Sequence, residues 1–225
     1  MGKLIIAIDG PSGTGKSTTA RLLAEKLNIS YVDSGAFYRT ITYLLLKNKV
    51  KPEETKRIEE IVRKINLEFK NEEVFLNGSN ITKEIRTLDV TNRVSNVSKI
   101  KEIRKIIVEK LRSYAGDKGI VMDGRDIGTV VFPEANYKFY FFCDLNTRAA
   151  RRQQDFFDEG QKFPLNKILL ELKKRDEVDI NRKDSPLKKA DDAIELDTTN
   201  MIIEEQVDFI YKRIVSANNM LNNEM

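Results

Sequence analysis

The chain has 225 residues, 40% apolar and 33% charged, which suits one α/β domain with small appendages or at most two small domains. Its net charge of +4, from 39 basic against 35 acidic side chains, is too slight to argue for nucleic acid by itself. Histidine is absent and cysteine occurs once, which excludes a Ser-His-Asp triad, a histidine general base, histidine zinc ligands, an internal disulfide and a cysteine-only metal site.

In chain order, LIIAI (4–8) reads as a strand that stops at the glycine loop GPSGTGKS (10–17). Ala20, Leu23, Ala24 and Leu27 then recur at helical spacing. ISYV (29–32) is a short strand, followed by a helix with Phe37, Ile41, Leu44 and Leu45 on one face. Pro52 is expected as the first residue of a further helix that turns Ile58, Ile61, Val62 and Ile65 inward. Within residues 66–82, LEF and VFL flank a polar turn and precede Asn-Gly, the pattern of a small antiparallel hairpin inserted among helices. Helical spacing returns at Ile100, Ile103, Ile107 and Leu111. GIVMD (119–123), KFYFFCD (138–144) and AIELD (193–197) read as three more core strands. Helices carrying Ile168, Leu169 and Leu172, and later Ile203, Val207, Ile210 and Ile214, lie among and after them.

Five apolar strands separated by helices imply an α/β fold with a five-stranded parallel sheet covered on both faces. Ligands of such sheets bind beyond the carboxyl ends of the strands. Asp9, Asp123, Asp144 and Asp197 stand at four of those ends and Asp33 just past the fifth. The long connections, about 34–118 and 145–192, are expected to carry substrate-binding parts and lids. Cys143, inside FYFFCDL, is expected to be a buried, inert thiol. No apolar run approaches the roughly 20 residues of a membrane span. The apolar run in MGKLIIAIDG is too short for a signal peptide, and Ile6 breaks a myristoylation pattern. A cytoplasmic protein without membrane contact is expected.

GPSGTGKS fits G-x-x-x-x-G-K-[ST], a pattern met by chance in roughly 1% of chains this long. It stands directly between a strand and a helix, which is the confirming context for a phosphate loop. Backbone N–H groups of Gly13 to Ser17 would cradle a β-phosphate at the helix N-terminus. Lys16 would reach the β and γ phosphates and the Ser17 hydroxyl would ligate Mg²⁺. The ATP-binding set is thus expected to be Gly10, Pro11, Ser12, Gly13, Thr14, Gly15, Lys16, Ser17 and Thr18.

A GTPase switch would need D-x-x-G after its metal strand and N-K-x-D for the base. The chain instead reads GRDIG after GIVMD, and neither Asn-Lys pair (48–49, 166–167) leads to Asp at the required place. A large mechanical ATPase would need more chain. A small kinase remains, and arginines point to a phosphate-bearing acceptor. Arg39 and Arg125 follow core strands, Arg86 and Arg104 lie in the first long connection, and Arg148, Arg151, Arg152, Arg175 and Arg182 crowd the second. Guanidinium groups match phosphate oxygens bidentately and stay charged when desolvated, as a site joining two anions requires. A phosphate monoester acceptor is already ionised near pH 7, so no general base is needed. A kinase for another monophosphate or small metabolite, and a nucleotide-dependent protein using its basic clusters on RNA, are the alternatives.

The ordered set GPSGTGKST, DSGAFYR, EIRT, DGRDIGTVVFP, RAARR, RDEVDINR and SPLKKADDAIELDTT resembles bacterial cytidylate kinases over about residues 4–212. DGRDIGTVVFP (123–133) discriminates most, and the hairpin at 66–82 suits the insert of that family. The resemblance implies a monomer that transfers the γ-phosphoryl group of Mg·ATP to CMP or dCMP, with small nucleotides rather than nucleic acid as partners. It implies a core at 1–33, 87–147 and 166–225, a monophosphate-binding part with the hairpin at 34–86, and a short lid at 148–165. Arg39, Arg125 and Arg182 would hold the acceptor phosphate. Ser95, Arg104 and Asp126 would read the cytosine edge, with Ser34 nearby, and Arg175 and Asp179 would contact sugar hydroxyls. Arg148, Arg151 and Arg152 would belong to the lid. Lys16, Arg125, Arg151 and Arg152 are the expected catalytic residues.

Overall fold

The computed structural model describes residues 3–70, 73–158 and 160–223. The chain runs through β1 (Ile5–Asp9), α1 (Lys16–Leu27), β2 (Ser30–Asp33), α2 (Ser34–Lys47), α3 (Thr55–Lys64) and the short strands β3 (Leu67–Lys70), β4 (Glu73–Leu76) and β5 (Ser79–Asn80). There follow α4 (Leu88–Val97), α5 (Lys101–Ser113), β6 (Ile120–Gly124), β7 (Tyr137–Phe142), α6 (Leu145–Asp158), α7 (Leu165–Asn181), β8 (Ile194–Asp197) and α8 (Ile203–Asn223). The hairpin's turn at 71–72 lies outside the described residues, as do residue 159 of the expected lid and the first and last two residues of the chain.

Side-chain alternation along the central strands builds two hydrophobic layers, since successive residues of a strand face opposite ways. Ala7 of β1 and Ile120 and Met122 of β6 pack with Phe37 and Ile41 of α2, Ile58 of α3 and Ile107 of α5. Ile6, Ile8, Val121, Phe139 and Phe141 turn to the other face, against Leu23 of α1 and Val207, Ile210 and Ile214 of α8. Both faces are covered, so the strands are apolar throughout rather than alternating with polar residues. The order is β2-β6-β1-β7-β8, every pairing parallel, as expected. The register sets Asp33 beside Asp123 and Asp9 beside Gly124, gathering three acids at one edge of the sheet. Ala149 and Phe156 of α6 pack on Ile168 and Leu172 of α7 in a separate small core.

The insert is a three-stranded antiparallel sheet, β3-β4-β5, rather than a two-stranded hairpin. The third strand returns through Asn77 and Gly78, whose φ of 50° and 83° make the tight turn that Asn-Gly favours. Phe69 of β3 anchors this sheet against Tyr31 of β2 and Phe37 of α2. The helix expected from Pro52 begins at Thr55 instead. Glu54 N donates to Lys51 O at 3.0 Å and Lys51 N to Glu54 Oε1 at 2.7 Å, so Pro52 occupies the second position of a closed turn. After β6 the chain coils into a five-residue π-helical turn, Ile127–Val131. Among the described residues no helix is long and apolar enough to cross a membrane.

Candidate active site

Beyond the carboxyl edge of the sheet opens a cleft of about 590 Å³, bounded on one side by the loop 12–18 and on the other by an array of arginines and carboxylates. The loop's shape is a backbone property. A Cβ on Gly10 would stand 2.2 Å from Phe141 O, and Gly15, which opens α1, has φ 89°. No side chain caps α1 and no acid stands in its first turn, so its N–H groups and dipole face the cleft. Thr14 Oγ1 donates to Pro11 O at 3.1 Å, and Thr198 Oγ1 donates to Thr14 O at 2.9 Å. Gly13, Gly15, Ser12 and the exposed Ser17 and Thr18 line the cleft, while Gly10, Pro11 and Thr14 hold the loop from behind.

Lys16 is 5% exposed, and its Nζ folds back to donate to Pro11 O at 2.5 Å and Thr14 Oγ1 at 3.2 Å. Burial, and secondarily the Arg125 charge, push its ammonium down to about 7. Ser17 Oγ donates to Asp123 Oδ2 at 2.8 Å, and the Tyr31 hydroxyl donates to Asp123 Oδ1 at 2.9 Å. Burial, and then the neighbouring Asp33 charge, raise the Asp123 carboxyl to about 6. Asp9 accepts from the N–H groups of Ile127 and Gly128 at 2.8 and 2.7 Å, and so pins the turn that carries Arg125 and Asp126 into the cleft.

On the acceptor side the expected arginines, Arg175 apart, are each paired with an acid. Arg39 Nη2 donates to Asp33 Oδ2 at 2.5 Å, and Arg125 Nε donates to Asp179 Oδ2 at 2.9 Å. Arg104 donates to Asp126, and Arg182 approaches Asp126 at 3.4 Å and Asp179 at 3.9 Å. Burial pulls the Asp179 carboxyl upward, but the charges of Arg125, Arg175 and Arg182 outweigh it and hold the group below its ordinary value. Arg175 lines the same cleft; burial, and then repulsion from Arg125, lower it to about 10. Ser34 lines the cleft with its hydroxyl tied to Asp123 O at 2.7 Å, and the half-buried Ser95 stands at the cleft wall. Arg104 is not in the lining. It sits behind Asp126, under the Tyr38 ring at 5.3 Å, with Nη1 on Ser98 O.

The three arginines of RAARR part company on α6. Arg148 is 6% exposed and donates to Cys143 O, Ser12 O and, at 2.6 Å, Asp176 Oδ2. Arg151 donates to Thr198 O at 2.7 Å and Met201 O at 3.3 Å, outside the cleft lining. Arg152 alone of the three lines the cleft, with its guanidinium 4.4 Å from the Phe156 ring centroid. Cys143 is buried and unbridged. The roles of Asp123, Asp33, Asp9 and Thr198 lay outside the expected site set. The acids at the strand ends were its visible signal, but their partners are up to 119 residues away, as for Asp9 with Ile127 and Gly128.

A sequence profile for the family described as cytidylate kinase matches residues 6–216. The cytidylate kinase of Clostridioides difficile (strain 630) is 43% identical over 214 residues, covering 95% of this chain and 99% of that protein. The cytidylate kinase of Fusobacterium nucleatum subsp. nucleatum is 44% identical over 214 residues, with 95% and 98% covered. Among solved structures, an uncharacterized protein from Eubacterium ventriosum ATCC 27560 matches with a TM-score of 0.52 at 18% identity, over 95% of this chain and 99% of that one, a likeness of fold alone. The chain belongs to the cytidylate kinase family.

Proposed function

We propose that the protein is a (d)CMP kinase that transfers the γ-phosphoryl group of ATP to CMP or dCMP, giving ADP and (d)CDP. One observation carries the reading: in a chain of this family, a single cleft sets a phosphate loop against a bank of arginines, the arrangement needed to bring two anions together. The acceptor's phosphate oxygen bonds to the γ-phosphorus while the bond to the β,γ-bridging oxygen breaks, its electron pair leaving with ADP. The attacking oxygen is ionised near pH 7, so positioning and charge neutralisation suffice without a general base.

Mg²⁺ suits the donor set. Ser17 and Asp123 offer hard oxygens at the mouth of the loop, and among the described residues no cluster of three or more acid or thiol ligands forms a cage of its own. That fits a cation held partly by nucleotide phosphates, and its chemistry would be to neutralise charge on the transferring group. Lys16 turns from Pro11 toward the phosphates, and Arg125, Arg39 and Arg182 exchange their carboxylates for the acceptor phosphate. Asp126, steadied from behind by Arg104, accepts from the cytosine amino group; uracil would set a carbonyl oxygen against the same carboxylate. Ser34 and Ser95 complete the base side, and Arg175 and Asp179 meet the sugar. Arg152 reaches the transferring group, while Arg148 and Arg151 act by holding α6 to the core. Residues 34–86 and 148–165 close on the nucleotides to exclude water, whose attack on ATP is the competing reaction. On this reading the chain acts as a monomer on small nucleotides.

The test is a coupled assay with Mg·ATP, following ADP production with CMP, dCMP, UMP, AMP and shikimate in parallel. Turnover with CMP and dCMP well above the other three is expected. Turnover on none of the five, or AMP preferred over CMP, would overturn the reading.

A further inference from the structure

Asp123 is held from two directions. Ser17 of the phosphate loop occupies one carboxylate oxygen at 2.8 Å, and the Tyr31 hydroxyl occupies the other at 2.9 Å. With both oxygens engaged the carboxylate has one orientation, and the Ser17 hydroxyl is tied to it. Tyr31 is itself braced from the far side: its ring meets Phe69 of β3 edge-on, with centroids 6.3 Å apart at 66°. Phe69 belongs to the small insert sheet, and it also leans on Phe37 of α2 at 6.2 Å. A groove of about 280 Å³ runs beside this contact, lined by Arg21, Ala24 and Glu25 of α1 together with Tyr31 and Phe69. None of the roles given above uses Tyr31 or Phe69.

We propose that Tyr31 is a positioning residue for the metal–nucleotide end of the reaction: its hydroxyl fixes the Asp123 carboxylate on Ser17, and Phe69 braces its ring, so that the docking of the insert sheet is felt at the phosphate loop. The inference rests on the kinase reading. A hydroxyl that merely filled space would be replaceable by Phe without consequence at the metal. A hydroxyl that orients Asp123 would not be, because the freed carboxylate oxygen would turn to water and Ser17 would lose its fixed partner.

The test compares binding of the non-hydrolysable analogue AMP-PNP by calorimetry, in saturating Mg²⁺ and in EDTA, for the wild-type chain, Tyr31→Phe and Phe69→Leu. The expected result for Tyr31→Phe is an affinity about tenfold weaker in Mg²⁺ and unchanged within twofold in EDTA, since the lost bond is one to a charged group. Phe69→Leu, which keeps the apolar contact but not the ring edge, is expected to shift the same difference by about threefold. Tyr31→Phe with an undiminished Mg²⁺-dependent gain, or with equal losses in both conditions, would overturn the inference while leaving the kinase reading intact. A wild-type chain whose affinity gains nothing from Mg²⁺ would overturn the reading on which it stands.

Discussion

In the proposed reading, the two banks of the cleft hold phosphate by opposite means. On the donor side the work is done by backbone: a loop shaped by Gly10, Gly13 and Gly15, an uncapped helix N-terminus, and one buried cation, Lys16. On the acceptor side it is done by side chains drawn from α2, α5, α7 and the turn after β6, held as Arg39–Asp33, Arg104–Asp126–Arg182 and Arg125–Asp179 pairs. A backbone cradle has no charge to neutralise. A cluster of arginines does, and in the proposed reading its carboxylates hold the place of the phosphate. In that reading the acceptor bank exchanges its partners on binding, while on the donor side only Lys16 turns, its Nζ leaving Pro11 O.

The contrast is tested hardest at Lys16. Lys16→Ala is expected to keep the fold and cut kcat/KM by about 10³-fold or more, of order 4 kcal/mol; near-normal turnover would refute the donor assignment. Asp126→Ala should act on stability as well as on CMP binding, because it strands the buried Arg104 and leaves Arg182 only Asp179 at 3.9 Å. A loss of about 3–5 kcal/mol, or roughly 10 °C in Tm, is expected, and an unchanged melting curve would show that these carboxylates are not needed to hold the arginines. Arg125→Ala is expected to weaken CMP binding by about 100-fold with ATP little changed; a loss confined to ATP would move Arg125 to the donor bank. The smallest effect is a proton count. Burial, and then the Arg125 charge, lower Lys16 to about 7, and phosphates beside it would raise that value, so at pH 8 it would be mostly neutral without nucleotide and charged with it. ADP binding at pH 8 should take up about one proton, and its affinity should fall as pH rises from 7 to 9. Calorimetry in buffers of different ionisation enthalpy reads this, and equal uptake by Lys16→Ala would assign the proton elsewhere.

The donor bank was readable from the residues because it is local. Eight consecutive residues specify the turn, and the strand before and helix after supply its context. The core strands were readable because burial on both faces makes them continuous apolar runs. The acceptor bank was not readable by spacing, since Asp126 and Arg182 meet across 56 residues and Arg125 and Asp179 across 54. Arg39 and Arg125 drew notice as groups just past strand ends, but Ser95 and the base-reading role of Arg104 entered through family resemblance. Even there the roles needed geometry: RAARR placed three arginines on one helix, yet Arg148 and Arg151, one turn apart, face inward, and Arg152 alone meets the cleft. Pro52 misled because the same residue suits a helix start and a turn. The side chain of Glu54, reaching back to Lys51, decided for the turn.

The inward pair on α6 has a mechanical meaning. Arg148 is fastened to the carbonyl of Ser12 in the phosphate loop, and Arg151 to the carbonyls of Thr198 and Met201 beyond β8. The first turns of α6 are thus fastened at two points, to the phosphate loop and to the segment after β8, and in the proposed reading a lid would be free to swing only past them, from about Arg152 outward. A pivot set there would give a short lever. It would also make Ser12 one of the bearings, so that torque on the lid would reach the phosphate loop as a tug on its backbone.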